Sequence, residues 1–148
     1  MYRSILVGTD GSDTAEQAVR AAAELAAAMQ CRLTIVSAFA PVSKSRLRAE
    51  GRQAPSDVAW AVNDREDVDA TLEAAKASAR TVGVSDVWTS ARDGDPASGI
   101  LDVAEELGVD LIVIGNKGMA GGKRFLLGAV PDKISHHAPC SVLIVETS

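Results

Sequence analysis

Gly115, Gly118, Gly121, Gly122 and Gly128 follow one another closely, after the apolar run Leu111 to Gly115 and just before Ala129-Val130-Pro131. Branched apolar residues suit a buried strand, and proline suits the first turn of a helix. Strand, glycine-rich loop and helix start together make a site for an anion. Glycine lets the backbone come close to a ligand, and the free N–H groups and dipole of a helix N-terminus favour phosphate. The familiar phosphate fingerprints are absent. A P-loop ending at Lys123 would need glycine at Lys117 and Ser or Thr at Arg124, and no G-x-G-x-x-G occurs. A second chemical group, Asp10, ends the run Val7-Gly8-Thr9-Asp10. A carboxylate there can accept hydrogen bonds from ribose hydroxyls.

Positioning these groups takes an alternation of strands and helices. Ser4 to Gly8 reads as a buried strand. Thr9-Asp10-Gly11-Ser12 turns it into a helix over Asp13 to Met29, with Ser12 or Asp13 as N-cap and Glu16 closing a capping box. Ala15, Ala18, Val19, Ala22, Leu25, Ala26 and Met29 mark its buried face. Leu33 to Ala38 is a second strand. From Phe39 to about Asp67 the pattern is lost; Pro41, Gly51 and Pro55 interrupt it, and Trp60 suggests that a short helical turn packs down. A helix carrying Val68, Leu72, Ala75, Ala79 and Val82 stops at Gly83. Val84 to Ala91 is a third strand, polar enough for a sheet edge. Asp95-Pro96 opens a helix with Ile100, Ala104 and Leu107, stopped at Gly108. Leu111 to Gly115 is the fourth strand, Val130 to Ala138 the last helix and Ser141 to Glu146 the fifth strand. Five strands alternating with about four helices through right-handed crossovers predict an α/β fold: a doubly wound parallel sheet with helices on both faces.

The spacing Gly115-x2-Gly118-x9-Gly128 resembles the G-x2-G-x9-G-[ST] motif of the ATP-binding branch of the universal stress protein family. Val7-Gly8-Thr9-Asp10-Gly11-Ser12, Gly94-Asp95-Pro96 and Pro139-Cys140-Ser141-Val142-Leu143-Ile144-Val145 extend the likeness over nearly the whole chain; it weakens between about Val42 and Asp67. The resemblance implies a single domain over residues 1–148 and strand order 3-2-1-4-5. In that order the chain reverses direction between strands 1 and 4, and ligands bind across their carboxyl ends. The candidate binding residues are therefore Gly8, Thr9 and Asp10, then Gly115, Asn116, Lys117 and Gly118, then Gly128, Ala129 and Val130. Ala38 joins them on resemblance alone, as the family position whose backbone holds the adenine ring. The ligand implied is an adenine nucleotide, ATP or AMP, with Mg2+ able to accompany it. The family's habit of pairing through its final strand implies a homodimer through Ser141 to Glu146, an apolar edge that invites pairing.

This chain departs from the motif at Ala129, where the family has Ser or Thr, and Pro131 has no N–H to donate. Lys117, Lys123 and Arg124 stand in the same loop as replacement cations. No paired acid and base flank the glycines, no G-x-S-x-G or H-E-x-x-H occurs, and adjacent His136 and His137 diverge by about 100° on a helix. The expectation is a nucleotide-binding sensor or regulatory module without catalytic residues or a metal site of its own, with slow ATP hydrolysis left open. A non-nucleotide interaction module of the same fold is the alternative that Ala129 allows. A flavin domain is disfavoured by few aromatics, and a phospho-accepting receiver by the lack of an Asp pair after strand 1.

The 148 residues carry 15 basic and 20 acidic side chains, a net charge of -5, which disfavours a partner held by bulk charge such as nucleic acid or an anionic membrane. No signal-peptide core or membrane-length apolar run is present, and Cys31 and Cys140 lack C-x-x-C spacing, all of which points to a cytoplasmic protein with buried thiols.

Overall fold

A computed structural model describes residues 1–39, 65–116 and 127–147. Its elements run β1 (Ser4–Gly8), α1 (Asp13–Met29), β2 (Arg32–Phe39), α2 (Arg65–Val82), β3 (Val87–Asp93), α3 (Pro96–Leu107), β4 (Leu111–Gly115), α4 (Ala129–His137) and β5 (Ser141–Val145). All strand pairs are parallel, in the order β3-β2-β1-β4-β5. This is the α/β fold and strand order expected from the sequence.

Why these strands are apolar throughout follows from their place in the sheet. Successive side chains leave opposite faces, so strands covered on both sides need apolar residues at every position. Ile5, Val7, Leu33, Ile35, Leu111 and Val113 pack under α1 and α2. Leu6, Val36, Ile112 and Ile114 pack under α3 and α4 on the other face. In α1, Ala18, Ala22, Ala23 and Ala26 are all fully buried. Their small side chains bring the helix close to the sheet.

Helix ends follow local chemistry. Ser12 caps α1 by accepting from the Ala15 N–H at 3.2 Å, and Asp95 caps α3 by accepting from Ser98 N–H at 2.9 Å, with Pro96 in the first turn. Gly83 ends α2 at φ +119, in a region that side chains rarely enter. The expected capping box does not close. Glu16 instead accepts from the Ser78 hydroxyl at 2.9 Å, tying α1 to α2.

Several boundaries move. β3 begins at Val87 rather than Val84, because Gly83 leads into a turn whose Asp86 carbonyl accepts from Leu33 N–H. It extends to Asp93 because Phe39, one residue past the expected end of β2, continues the ladder. β5 ends at Val145 and α4 spans Ala129–His137. Leu107, expected on the buried face of α3, is 40% exposed at the amino edge of the sheet, while Ala97 and Val103 are buried there instead. The helical turn expected around Trp60 and most of the irregular stretch around it lie outside the described residues.

Both thiols are free. Cys31 precedes β2 and Cys140 precedes β5, with β1 and β4 between, so about 14 Å separates them, twice the roughly 7 Å that a disulfide spans. Burial, then the nearby Asp110 carboxylate, pushes both thiols above their ordinary pKa. Among the described residues, no helix is long and apolar enough to cross a membrane.

Candidate functional site

The site lies where the chain reverses direction. β1 is flanked by β2 and β4, and the register that pairs Val7 with Ile35 and with Val113 brings three carboxyl ends to one edge. Gly8 ends β1, and Thr9 and Asp10 leave it beside Gly115 at the end of β4 and Asn116 just after it. In such a sheet the crevice beyond the reversal is where ligands bind.

Gly8 is a packing glycine. A Cβ there would stand 2.5 Å from Ile100 Cδ1, the far end of that side chain, so a larger residue requires Ile100 to shift within the core. Thr9 is buried, its N–H donating to Val36 O at 2.9 Å and its hydroxyl accepting from Gly11 N–H at 3.1 Å. Asp10 follows, half-buried. Its Oδ1 accepts from Ser12 N–H at 2.9 Å, a turn that fixes the carboxyl group before α1. Among the described residues its Oδ2 meets no donor, which leaves that oxygen for a ligand hydroxyl.

Ala38 lies near the end of β2, paired with Arg92 of β3. Val36 O receives Thr9 N–H, and alternate residues of a parallel ladder present their peptide groups to the same side. The N–H and C=O of Ala38 therefore point toward the space beyond the end of β1. That is the direction from which a base would be held by backbone.

On the far side of the crevice, Asn116 N–H donates to Val145 O at 2.9 Å and Asn116 C=O accepts from Gly128 N–H at 3.1 Å. The neck of the glycine-rich loop is thus closed. Lys117 and Gly118, with Lys123 and Arg124, lie outside the described residues. Gly128 is the N-cap of α4, and it offers no side-chain acceptor to the first turn. The uncapped N–H groups of Ala129 and Val130, with the helix dipole, form a donor set suited to phosphate. Pro131 and Val130 are buried, so the helix start is fixed by packing. Among the described residues the arrangement brings together one carboxylate, free peptide groups and a helix N-terminus.

A side cluster steadies that helix. Lys133 of α4 donates to Asp95 Oδ2 at 3.0 Å and to Ser98 Oγ at 2.8 Å at the start of α3. Burial works against ionising Asp95, but the Ser98 N–H and Lys133 outweigh it and hold the carboxyl below its ordinary range. At the end of β2, the Arg65 guanidinium lies 5.1 Å over the Phe39 ring. The two residues that flank positions 40–64 are therefore in contact near the crevice.

Sequence reasoning assembled Gly8, Thr9, Asp10, Ala38, Gly115, Asn116, Gly128, Ala129 and Val130, and the fold brings these to one edge. It missed Thr147. This residue is 1% exposed, and it donates both its N–H (3.0 Å) and its hydroxyl (3.1 Å) to Asn116 Oδ1. No motif marks it; its only local signal is a small polar residue just past an apolar strand.

The fold defines the class: a doubly wound α/β module with a crevice where its sheet reverses. Residues 1–146 match the model of the universal stress protein family, and the chain belongs to that family. It is 34% identical over 147 residues to universal stress protein Rv1636 of Mycobacterium tuberculosis, covering 99% of this chain and 98% of that protein. A universal stress protein crystallised in complex with cAMP superposes with a TM-score of 0.74 at 33% identity, covering 99% of this chain and 98% of the other. The universal stress protein from Archaeoglobus fulgidus in complex with dAMP gives a TM-score of 0.68 at 26% identity, covering 98% of each.

Proposed function

We propose that this chain reversibly binds an adenine nucleotide in the crevice between β1 and β4 and acts as a sensor or regulatory module of the universal stress response. One observation carries the reading: Asp10, the outward peptide groups of Ala38 and the uncapped start of α4 converge on the edge where the sheet reverses. In this reading Asp10 accepts from ribose, Ala38 meets the base, and the amides of Ala129 and Val130 meet phosphate. Relatives whose structures hold cAMP and dAMP support an adenine ligand.

The size of the phosphate group depends on the departure at Ala129. A hydrogen bond to a charged group contributes about 1.5 to 3 kcal/mol, so the missing hydroxyl weakens a triphosphate more than a ligand with one phosphate. Lys117, Lys123 and Arg124 then carry more of the grip for ATP. Any Mg2+ enters with the triphosphate, whose oxygens are its usual ligands. We further propose that the module is not an enzyme and that it works in the cytoplasm as a homodimer paired through β5.

Calorimetric titration with ATP, AMP, cAMP and GTP, with and without Mg2+, tests the reading. The expected result is saturable binding of adenine nucleotides, strongest for those with one phosphate, and weaker binding of GTP. Flat titrations with every adenine nucleotide would favour the alternative, a non-nucleotide interaction module.

A further inference from the structure

We propose that Thr147 is a positioning residue that, through Asn116, holds the neck of the glycine-rich loop and so sets the nucleotide crevice; its bearing on affinity rests on the nucleotide reading above. Thr147 belongs to no strand or helix, yet it is 1% exposed. Such burial of a polar residue needs a partner for each polar group. Its N–H and hydroxyl find the same one, Asn116 Oδ1, at 3.0 and 3.1 Å. A main-chain N–H can only donate, so the pair also fixes which way the Asn116 amide faces.

Asn116 is then bound on three sides. Its N–H continues the ladder to Val145, its C=O receives the N–H of Gly128, and its side-chain oxygen receives Thr147. Three segments are joined at one residue: the end of β5, the stretch beyond it, and the N-cap of the helix proposed to meet phosphate. Gly115 supplies an independent sign that the contact is built in. A Cβ at Gly115 would stand 3.2 Å from Thr147 Cγ2. A side chain at this position requires Thr147 to give by a few tenths of an ångström, so the two residues are in close contact whatever Gly115 also does for a ligand.

The chemistry separates the hydroxyl from the bulk. Thr147→Val keeps the shape and the N–H but removes one of the two donors to Asn116, whereas Thr147→Ser keeps both. The first readout is amide hydrogen exchange of Gly128 in the ligand-free protein; the second is the Kd for cAMP, used as the probe. Loss of one net hydrogen bond corresponds to about fivefold to tenfold in an equilibrium constant. Thr147→Val is expected to speed Gly128 exchange and raise the cAMP Kd by about that factor, with both returning toward wild type in Thr147→Ser. Gly115→Ala is expected to act like Thr147→Val, and adding Thr147→Ser to it should relieve the crowding by removing Cγ2. Gly128 exchange unchanged in Thr147→Val and in Asn116→Ala would overturn the proposal, as would an unchanged Kd in a protein that binds cAMP. If wild type binds none of ATP, AMP and cAMP while Gly128 exchange still responds to Thr147→Val, the neck stands and the nucleotide reading falls.

Discussion

The main-chain N–H of Gly128 reaches the carbonyl oxygen of Asn116 at 3.1 Å, so the residue that follows β4 and the residue that caps α4 are bonded directly. The glycine-rich segment between them begins and ends at one point. That point faces Asp10 across the ends of β1 and β4. Position of the helix start, and with it the direction of the α4 dipole, is thereby tied to the sheet.

Asp10 supplies the carboxylate of the crevice, and its Oδ1 already serves Ser12 N–H. Asp10→Asn keeps an oxygen for that turn but loses the charge offered to a ligand hydroxyl. The expected outcome is a fall in AMP affinity of tenfold or more, from about 1.5 to 3 kcal/mol per charged hydrogen bond, with little change in melting temperature. Equal titration curves for variant and wild type would remove Asp10 from the site.

Gly8 is under a packing constraint of its own, since a side chain there displaces the end of Ile100. The methyl of Gly8→Ala would meet Ile100 Cδ1 at 2.5 Å in a part of the core where Ile100 is itself buried. Overpacking of this kind costs about 1 to 3 kcal/mol. Urea denaturation should show a lower midpoint at an unchanged slope, and a midpoint equal to that of wild type would contradict the packing reading.

The Asp95–Lys133 pair links the starts of α3 and α4, with both side chains about half exposed. Asp95 has a folded pKa below its ordinary 3.8. A lowered folded value means that its contribution is whole above the unfolded value and is lost as pH falls through the folded one. Lys133→Met should therefore cost under about 1 kcal/mol at pH 7. That cost should fade below about pH 4 when stability is followed by denaturation at several pH values. A cost that stays constant down to acid pH would show that charge plays no part.

Among the described residues β5 is an edge strand bonded to β4 alone, and its Leu143 is 41% exposed. An apolar edge strand invites pairing with a second copy. Light scattering should give a dimer for wild type and a monomer for Leu143→Lys. A wild-type monomer at micromolar concentration would refute pairing through this edge.

Much of this architecture was legible in the sequence because it rests on local rules. The runs at Ser4–Gly8 and Leu111–Gly115 announce doubly covered strands, and Gly83, Asp95-Pro96 and Gly108 punctuate the helices where the structure ends or starts them. Strand order came from resemblance, since no local pattern encodes which strands are neighbours. The edge character of β3 showed in its polar residues, but its start did not, because the turn at Asp86 depends on a bond from Leu33, far away in sequence. Glu16 obeyed a capping pattern yet turned to Ser78 of another helix. Thr147 was invisible for the same reason: its role is a contact with Asn116, and only the folded sheet brings the two together.

The most direct test of the crevice is a titration of isotopically labelled protein with AMP, followed by amide chemical shifts. The amides of Thr9, Asp10, Ala38, Asn116, Gly128, Ala129 and Val130 are expected to move together and saturate at one Kd, while those of Cys31, Asp86 and Asp110 at the opposite edge of the sheet stay still. Shifts confined to that opposite edge, or none at saturating AMP, would contradict an adenine-nucleotide site between β1 and β4.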